Sequence, residues 1–294
     1  MNISVRDLTF SFQNGDFHYI DWGGRGPLAH FSHATGFCAR AYTPLIERIL
    51  SYLRMVGMDD RGHGRTTAPA HVDKLKDWRV FARDLERFLE HVRQPAVLMG
   101  HSRGAVASLL LSARRPELVR ALVLIDPTIL PFSWMWWWYL AKKARAAQFV
   151  PIAFRAARRK NLWPDRDTIL QSYSSKEPFS KWEEGFLEGY IRDGTRETED
   201  GLVRLSCDPL WESKCFATCS HDVWRFIPTL KMPTLLIHGE KSDICLPPTV
   251  KRFKEKVPEA KVIGLKGTSH FVPMERPDET ADIIIGFLRE QGII

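Results

Sequence analysis

Short apolar runs alternate with segments of helical periodicity over the first 127 residues, and the alternation returns from Pro233 to the end. The apolar runs predict strands at 17–22, 28–32, 55–58, 96–99, 121–125, 234–237 and 261–265. Helical spacing predicts helices over 40–53, 78–92, 248–256 and 277–291. Runs without polar alternation, such as 96–99, are typical of strands buried on both faces. The pattern therefore predicts an α/β fold with a mostly parallel central sheet flanked by helices.

The middle of the chain has a different character. Residues 128–228 contain eight of the ten tryptophans and no comparable buried-strand run. We interpret this segment as a mostly helical insertion into one α/β domain, since no Gly- or Ser-rich linker flanks it. The predicted organisation is a first core part at 1–127, a Trp-rich basic insertion at 128–228 and a second core part at 229–294.

Charge is concentrated in the same insertion. The chain has 294 residues, 44% of them hydrophobic and 26% charged, which excludes wholesale disorder. Its net charge of +7 is accounted for by residues 128–164, which hold seven Lys or Arg and no Asp or Glu. The remaining bases and acids balance. This distribution argues against a nucleic-acid binder with a broad basic face and favours one local basic element.

The sequence also predicts a cellular compartment. The longest apolar stretch, 129–141, is too short to span a bilayer, and the first residues include an early acid and no apolar signal region. Five cysteines are an odd number in a chain large enough to fold without disulfides. We therefore expect a reduced, cytoplasmic protein.

A serine lies between glycines at 100–104, where Gly-His-Ser-Arg-Gly matches the G-x-S-x-G pattern. The predicted strand 96–99 leads into it and a helical segment follows. A sharp strand-to-helix turn needs small residues beside the serine, because the two backbones approach closely. The alternative is an ordinary glycine-rich turn with an unreactive serine. The context favours Ser102 as a nucleophile at a helix N-terminus.

A serine nucleophile needs a base and an acid that orients the base. His270 lies in the loop after the last predicted strand, where an open α/β sheet gathers its site. Asp243 follows the strand 234–237, and the order Ser102, Asp243, His270 is the order expected of such an enzyme. Asp126, at the end of the strand 121–125, is the competing acid. We expect Asp243 to be the acid.

The sequence resembles the α/β-hydrolase superfamily, in the branch of serine hydrolases with a cap. The resemblance rests on the oxyanion-loop motif HATGF at 33–37, DRGHG at 60–64, the GHSRG elbow, GEKSD at 239–243 and SHFVPMERP at 269–277. It implies a helical cap inserted after the sixth strand. It also implies an oxyanion hole formed by the backbone N–H groups of Phe37 and Arg103, whose side chains would shape the pocket. Cys38 follows this loop, either lining the site or packing as a small apolar residue.

The nucleophile narrows the reaction that the resemblance implies. Haloalkane dehalogenases and epoxide hydrolases of this superfamily carry an aspartate at the elbow, so Ser102 argues against both. Acyl transfer through a serine is expected, most simply on carboxylic esters with an apolar acyl part. An acyl-CoA thioesterase and then a C–C bond hydrolase are the alternatives, and a ligand receptor on the same fold is the alternative outside the enzymes.

No cofactor or metal is expected. Rossmann and P-loop glycine patterns are lacking, and the spacing of Cys207, Cys215, Cys219 and His221 does not suit a structural zinc site. The expected partner is a small-molecule ester or thioester, lipid-like or anionic.

The cap is expected to set any substrate preference. Residues 134–140 carry more aromatic surface than one helix face can bury, so we expect Trp134 and Trp137, with Phe271, to contact substrate. Arg155, Arg158 and Arg159 are predicted to share one helix face, which suggests peripheral contact with an anionic membrane or an anionic substrate. The alternatives are tryptophans that pack the cap onto the core and a charged face that is merely solvated.

Overall fold

The computed structural model describes residues 5–12 and 15–294, and a large mixed sheet runs through its centre. The strands in chain order are β1 (Arg6–Phe12), β2 (Gly15–Gly24), β3 (Leu28–Ser32), β4 (Arg54–Met58), β5 (Ala96–His101), β6 (Val119–Ile125), β7 (Leu162–Trp163), β8 (Thr195–Glu197), β9 (Val203–Leu205), β10 (Thr234–Gly239) and β11 (Lys261–Leu265). The central sheet has the order β1-β2-β4-β3-β5-β6-β10-β11. The pairs β1–β2 and β2–β4 are antiparallel, and the other five pairs are parallel.

Helices connect most of these strands. They are α1 (Thr43–Glu47), α2 (Arg79–Val92), α3 (Arg103–Arg114), α4 (Met135–Lys143), α5 (Pro151–Ala157), α6 (Arg166–Ser174), α7 (Phe186–Gly194), α8 (Pro209–Ala217), α9 (Pro247–Lys256), α10 (Val272–Glu275) and α11 (Pro277–Glu290). Short 3-10 segments lie at Ala39–Tyr42, Pro116–Leu118, Phe132–Trp134, Ala146–Phe149, Phe179–Lys181, Val223–Arg225 and Ile227–Thr229. In the described part of the chain, no helix is both long and apolar enough to span a bilayer.

The two faces of the central sheet bury two separate hydrophobic cores. Alternate residues of β5 point to opposite faces, so Val97 joins one core and Leu98 the other. One core packs against α1 and α11, and the other packs against α2, α3 and α9. Burial on both faces explains the unbroken apolar runs in the central strands. The predicted α/β fold is confirmed.

Two local predictions differ from the structure. The helix expected over 40–53 is a 3-10 segment followed by the short α1, because Pro44 has no N–H to donate to the Arg40 carbonyl, which accepts from the Thr43 N–H instead. The strand β1 was not predicted, although Leu8, Phe10 and Phe12 alternate with polar residues; it lies at the sheet edge and most of its residues are exposed. Residues 1–4, which entered the prediction about a signal region, lie outside the described residues.

The segment between β6 and β10 forms the cap. It contains α4 to α8 and a small antiparallel sheet of order β7-β9-β8, which the sequence did not predict. It follows β6, the sixth strand of the described chain. The domain boundaries at 128 and 228 stay a prediction.

Candidate active site

Ser102 occupies the turn between β5 and α3, in a backbone conformation that residues other than glycine rarely adopt. Its φ and ψ are +58° and −119°. The neighbouring glycines are required: a Cβ on Gly100 would lie 2.5 Å from the carbonyl carbon of Gly104, and one on Gly104 would lie 2.2 Å from the Ser32 carbonyl oxygen. The turn is fixed on its other side by the Ser102 N–H, which donates to the Ile125 carbonyl at 3.0 Å. These features are those of a nucleophile elbow.

His270 lies in the loop after β11, and its Nδ1 donates to Asp126 Oδ1 at 2.6 Å. The carboxylate of Asp126 is completely buried and accepts two more hydrogen bonds, from the Gly239 N–H at 2.8 Å and from Ser242 Oγ at 2.7 Å. A proton held on Nδ1 leaves the Nε2 of His270 free to accept a proton. Asp126 is therefore placed as the residue that orients the imidazole.

The prediction of Asp243 as the acid is wrong in this structure. The loop after β10 turns Asp243 outward, where its side chain is exposed. Because β6 lies between β5 and β10, a residue at the end of β6 lies closer to the elbow than one in the loop after β10. Asp126 sits at this point, with a φ of +41°. Its N–H donates to the Ile237 carbonyl at 2.7 Å, which fixes the residue against β10.

Ser242 is a positioning residue that sequence reasoning missed. Its hydroxyl donates to Asp126 and accepts from the backbone N–H groups of Ile244 at 3.1 Å and Cys245 at 3.0 Å. The two backbone donors hold the hydroxyl so that its own proton points at the carboxylate. The predicted acid loop thus contributes to the site through Ser242 and not through its neighbour Asp243.

His101 supports the site from beneath the elbow. Its Nε2 donates to the backbone carbonyl of His270 at 2.9 Å, and its Nδ1 pairs with the Tyr42 hydroxyl at 2.8 Å. Burial, together with the nearby His270, lowers the pKa of His101 to about 3, so the ring is neutral. A neutral ring with both nitrogens occupied ties the His270 loop to the elbow.

The predicted oxyanion donors lie on two adjacent segments. Arg103 is the first residue of α3, where a helix N-terminus presents N–H groups without helical partners. The Phe37 N–H donates to the Ala34 carbonyl at 3.2 Å, across a turn that Gly36 forms with a φ of +79°. The Phe37 N–H must therefore share or exchange this partner to bind an oxyanion. Its role and that of Arg103 stay predictions.

The side chain of Arg103 points away from the pocket. It is completely buried, its Nε donates to Thr35 Oγ1 at 3.0 Å, and its Nη1 donates to Asp60 Oδ2 at 2.7 Å. The guanidinium also lies 3.9 Å from the ring centroid of Phe81. The expectation that this side chain shapes the pocket is therefore wrong: it joins the elbow to the oxyanion loop through Thr35 and to the 60–64 turn through Asp60.

Thr128 contacts the nucleophile directly, and no sequence motif marks it. Its Oγ1 lies 3.0 Å from Ser102 Oγ, within hydrogen-bond distance. Its backbone N–H donates to the Ser102 carbonyl at 3.4 Å. Because Asp126, Pro127 and Thr128 are consecutive, the end of β6 brings the orienting acid and a hydroxyl neighbour of Ser102 to the same edge of the sheet.

A comparison with protein families agrees with this fold and with the residues at the edge of the sheet where Ser102 lies. The model of the alpha/beta hydrolase family matches residues 30–283, which is most of the chain. The chain belongs to this alpha/beta hydrolase family. The resemblance read from the five motifs is thereby confirmed at the level of the family, and the enzymes that it resembles are hydrolases.

Similar proteins include hydrolases of different named activities. A 2-(acetamidomethylene)succinate hydrolase of Mesorhizobium japonicum is 24% identical over 90% of this chain and 89% of its own. The haloalkane dehalogenase 2 of Mycobacterium tuberculosis is 25% identical over 94% of this chain and 92% of its own. A crystal structure of E-2-(acetamidomethylene)succinate hydrolase has a TM-score of 0.79 at 20% identity, covering 97% of this chain and 100% of that one, which shows a common fold.

An aromatic cluster lies beside the oxyanion loop of this alpha/beta hydrolase. The ring of Phe37 lies 4.9 Å from Tyr190, 5.7 Å from Trp182 and 6.3 Å from Phe271. Phe271 also lies 5.4 Å from the ring of His270. Trp182 Nε1 is buried without a hydrogen-bond partner among the described residues. The cap contributes Trp182 and Tyr190, so the cluster joins the cap to the oxyanion loop and to the loop of the proposed catalytic histidine.

The tryptophans expected to contact substrate lie elsewhere. Trp134 is 54% exposed and Trp137 is 75% exposed, on the outside of the cap. Such exposure does not fit residues that line an enclosed pocket, and the cap rings that lie beside Phe37 are Trp182 and Tyr190. Among the three predicted substrate contacts, only Phe271 lies next to the proposed catalytic histidine, where its contact with substrate stays a prediction.

Arg159 is turned into the cap and not onto a solvent face. It donates through Nη1 to both Glu212 oxygens at 3.2 Å, through Nη2 to the hydroxyls of Tyr173 and Tyr190, and through Nε to Tyr173. The α5 helix ends at Ala157, so the periodicity that placed Arg159 on one face with Arg155 and Arg158 does not continue that far. The prediction that Arg155, Arg158 and Arg159 share one helix face is therefore wrong.

Glu212 connects the hydrogen-bond network of Arg159 to the oxyanion loop. A Cβ on Gly36 would lie 2.3 Å from Glu212 Oε1, so the loop and the cap carboxylate leave no room for a larger residue there. The five N–H groups of Arg159 are all engaged, and Glu212 balances its charge. The network therefore holds α6, α7 and α8 against the oxyanion loop.

The cysteines that entered the zinc argument are buried thiols. Cys38, Cys207, Cys215, Cys219 and Cys245 are free and buried. Burial raises the pKa of both Cys215 and Cys219 to about 12, which keeps them as thiols, and Cys38 packs as a buried residue of the core.

A second group of possible ligands is already neutralised by cations. Ligand atoms of Asp77, His221 and Asp222 lie within 4.8 Å of one another. Both oxygens of Asp222 accept from Arg79 at 2.6 Å, and Asp77 Oδ2 accepts from Lys142 at 3.3 Å. We therefore interpret this group as an ion-pair network.

Proposed function

We propose that the protein is a serine hydrolase that cleaves carboxylic esters with an apolar acyl part through Ser102, His270 and Asp126. The observation that carries the proposal is the buried carboxylate of Asp126 on His270 Nδ1, at the sheet edge where the elbow presents Ser102. His270 takes the proton of Ser102 as the hydroxyl attacks the carbonyl. The N–H groups of Arg103 and Phe37 stabilise the oxyanion, and His270 then activates water to release the acid.

An apolar acyl part suits the surroundings of the site. The rings of Phe37, Trp182, Tyr190 and Phe271 offer an apolar surface, and the free N–H of Trp182 suits one oxygen acceptor on the substrate. Arg159 is the cation beside this cluster, but its donors and charge are satisfied by Glu212 and the two tyrosines. For this reason we do not extend the succinate substrates named for the relative from Mesorhizobium japonicum to this chain.

The second candidate is an acyl-CoA thioesterase, which a basic groove on the outer side of the cap favours. A dehalogenase-like reaction is not proposed, because an aspartate nucleophile is replaced by Ser102. We further propose a cytoplasmic protein, since its five cysteines are free thiols. Contact between the cap and an anionic membrane is a separate proposal, which rests on the same basic groove together with exposed aromatic residues of the cap.

A matched set of substrates separates the two activities. We expect p-nitrophenyl esters to be hydrolysed with an optimum among acyl chains between acetyl and decanoyl, and the Ser102→Ala variant to lose this activity by about 10⁴-fold or more. Butyryl-CoA and the butyryl thioester of N-acetylcysteamine contain the same thioester, but only butyryl-CoA carries the phosphorylated remainder of coenzyme A. We expect similar kcat/KM values for the two.

Two outcomes contradict the ester proposal. A preference of about tenfold or more for butyryl-CoA over the thioester without phosphates, joined with poor hydrolysis of every oxygen ester, favours the thioesterase. Stoichiometric acylation of Ser102 without turnover on any of these substrates favours a receptor that retains the reactive serine.

A further inference from the structure

Exposed hydrophobic side chains are concentrated in one stretch of the cap. Eight of the twelve large hydrophobic residues that are exposed in the described chain lie between residues 132 and 154. They are Phe132, Trp134, Trp136, Trp137, Leu140, Phe149, Ile152 and Phe154. Trp136 is 74% exposed and Trp137 is 75% exposed, although tryptophan is among the side chains with the most to gain from burial. Such a concentration of exposed apolar side chains marks an interaction surface.

A basic groove of about 1090 Å³ is lined by two of these residues, Phe149 and Phe154. Its basic lining residues are Lys76, Lys142, Lys143, Arg145, Arg158 and Lys214, and Asp73 is its acidic one. Phe149 and Phe154 belong both to the exposed aromatic set and to the groove wall, so the apolar and the basic surfaces are continuous. The guanidinium of Arg158 lies 3.5 Å from the ring centroid of Phe154, which places charge directly over exposed apolar surface.

Much of the positive charge in this groove lacks a compensating carboxylate. Lys142 is paired with Asp77 at 3.3 Å. By contrast, Lys143, Arg145 and Lys214 have no carboxylate within ion-pair distance among the described residues. Burial lowers the pKa of Lys214, and the positive charges of Lys76 and Arg145 lower it further. An anionic surface placed against the groove relieves this repulsion.

We propose that this face of the cap, formed by α4, α5 and the 3-10 segment between them, docks on an anionic lipid bilayer. Exposed tryptophans next to lysine and arginine are the combination that binds at a bilayer interface, where the rings enter the head-group region and the cations meet anionic lipids. The local basic element and the Trp-rich segment predicted from the sequence are neighbours in the cap, since α4 contributes the exposed tryptophans and also Lys142 and Lys143 of the groove. Arg159, engaged with Glu212, has no part in it.

Docking of this kind is independent of the proposed chemistry. α4 begins seven positions after Thr128, whose hydroxyl contacts Ser102, so a docked cap holds the proposed active site near the bilayer. Binding is measured without substrate, and the Ser102→Ala variant is expected to bind vesicles as the wild type does. Failure of the hydrolase proposal therefore leaves the docking result unaffected, and the reverse also holds.

Co-sedimentation with vesicles tests the proposal. At about 25 mM salt, we expect about tenfold or stronger binding to vesicles with about 30% phosphatidylglycerol in phosphatidylcholine than to phosphatidylcholine alone. About 500 mM salt removes most of this difference because it screens exposed charges. Tryptophan fluorescence is expected to shift to shorter wavelength on binding, and Trp136→Ser with Trp137→Ser to remove most of the shift.

Two charge-matched triple variants provide the decisive comparison. Lys143→Gln, Arg145→Gln and Lys214→Gln remove three charges from the groove, whereas Lys251→Gln, Lys256→Gln and Lys266→Gln remove three exposed charges from the second core part. We expect the groove variant to bind anionic vesicles about tenfold or more weakly and the control variant within about twofold of wild type.

Three results overturn the docking proposal. The first is that the wild type fails to bind anionic vesicles at low salt. The second is that both triple variants lose binding equally, which is the behaviour of a diffuse net charge. The third is that the tryptophan variant binds as the wild type does with the same fluorescence shift, which shows that the rings stay in water.

Discussion

Replacement of Asp126 by asparagine is expected to lower kcat/KM for ester hydrolysis by about 10⁴-fold while the protein stays folded. Asparagine still accepts from the Gly239 N–H through the oxygen in the place of Oδ2. The amide nitrogen in the place of Oδ1 donates to His270 Nδ1, where the carboxylate accepted, and no longer accepts from Ser242. The histidine then carries its proton on Nε2 and cannot take the proton of Ser102. Initial rates on a p-nitrophenyl ester, with the thermal transition as a check of folding, measure the effect.

Asp243→Asn is the matched control for this experiment. It removes the same charge from the neighbouring loop, at an exposed position. We expect its kcat/KM to stay within about twofold of wild type, since exposed charges in water contribute little. An Asp243→Asn enzyme that loses activity while Asp126→Asn retains it would restore the assignment first made from the sequence and refute the one made from the structure.

The second large effect is on stability and concerns Arg103. Arg103→Met is expected to lower the free energy of unfolding by about 3–5 kcal/mol, because it leaves Asp60 buried beside the elbow without its cation. It also removes the hydrogen bond to Thr35 in the oxyanion loop. For a chain of this size the loss corresponds to a fall in Tm of about 10 °C. Denaturant unfolding and thermal melting measure both quantities.

Two further variants show whether the buried pair is the cause. Arg83→Met, at an exposed position of α2, is expected to change stability by less than about 0.5 kcal/mol. Adding Asp60→Asn to Arg103→Met removes the uncompensated charge and is expected to recover about half of the loss. Equal losses in the single and double variants would mean that packing against Phe81, and not the ion pair, accounts for the effect.

The residues that a local motif defines were predictable from the sequence. The elbow needs glycines at 100 and 104, and the structure shows the close approaches that make them necessary. His270 lies in the predicted loop after the last strand. In each case the constraint is carried by neighbours in the chain, so the sequence displays it directly.

The orienting acid was not predictable in this way, because the choice depends on which strands are neighbours. Asp126 and Asp243 both follow buried strands, and either gives an acceptable chain order. The sheet order decides between them, since β6 lies next to β5. The same limit applies to Ser242 and Thr128, whose contacts join segments far apart in the chain.

The cap was predictable in composition and not in geometry. Its basic and tryptophan-rich character is visible in the sequence, but helical periodicity placed Arg159 on an exposed face. In the structure, Arg159 lies beyond the end of α5 and pairs with Glu212 from α8. Trp137 was assigned to a pocket and lies on the outer surface instead. Helix ends and contacts between cap helices fix these positions, and neither has a clear sequence signal.

The central claim is that Ser102 is an activated nucleophile, and labelling with a fluorophosphonate tests it most directly. Intact-protein mass spectrometry is expected to show one adduct on the wild type, located at Ser102 by peptide mapping, and none on Ser102→Ala. Because the adduct forms only on an activated serine, Asp126→Asn is expected to label much more slowly. A wild type that does not react, or a Ser102→Ala variant that labels at the rate of the wild type, would contradict the account.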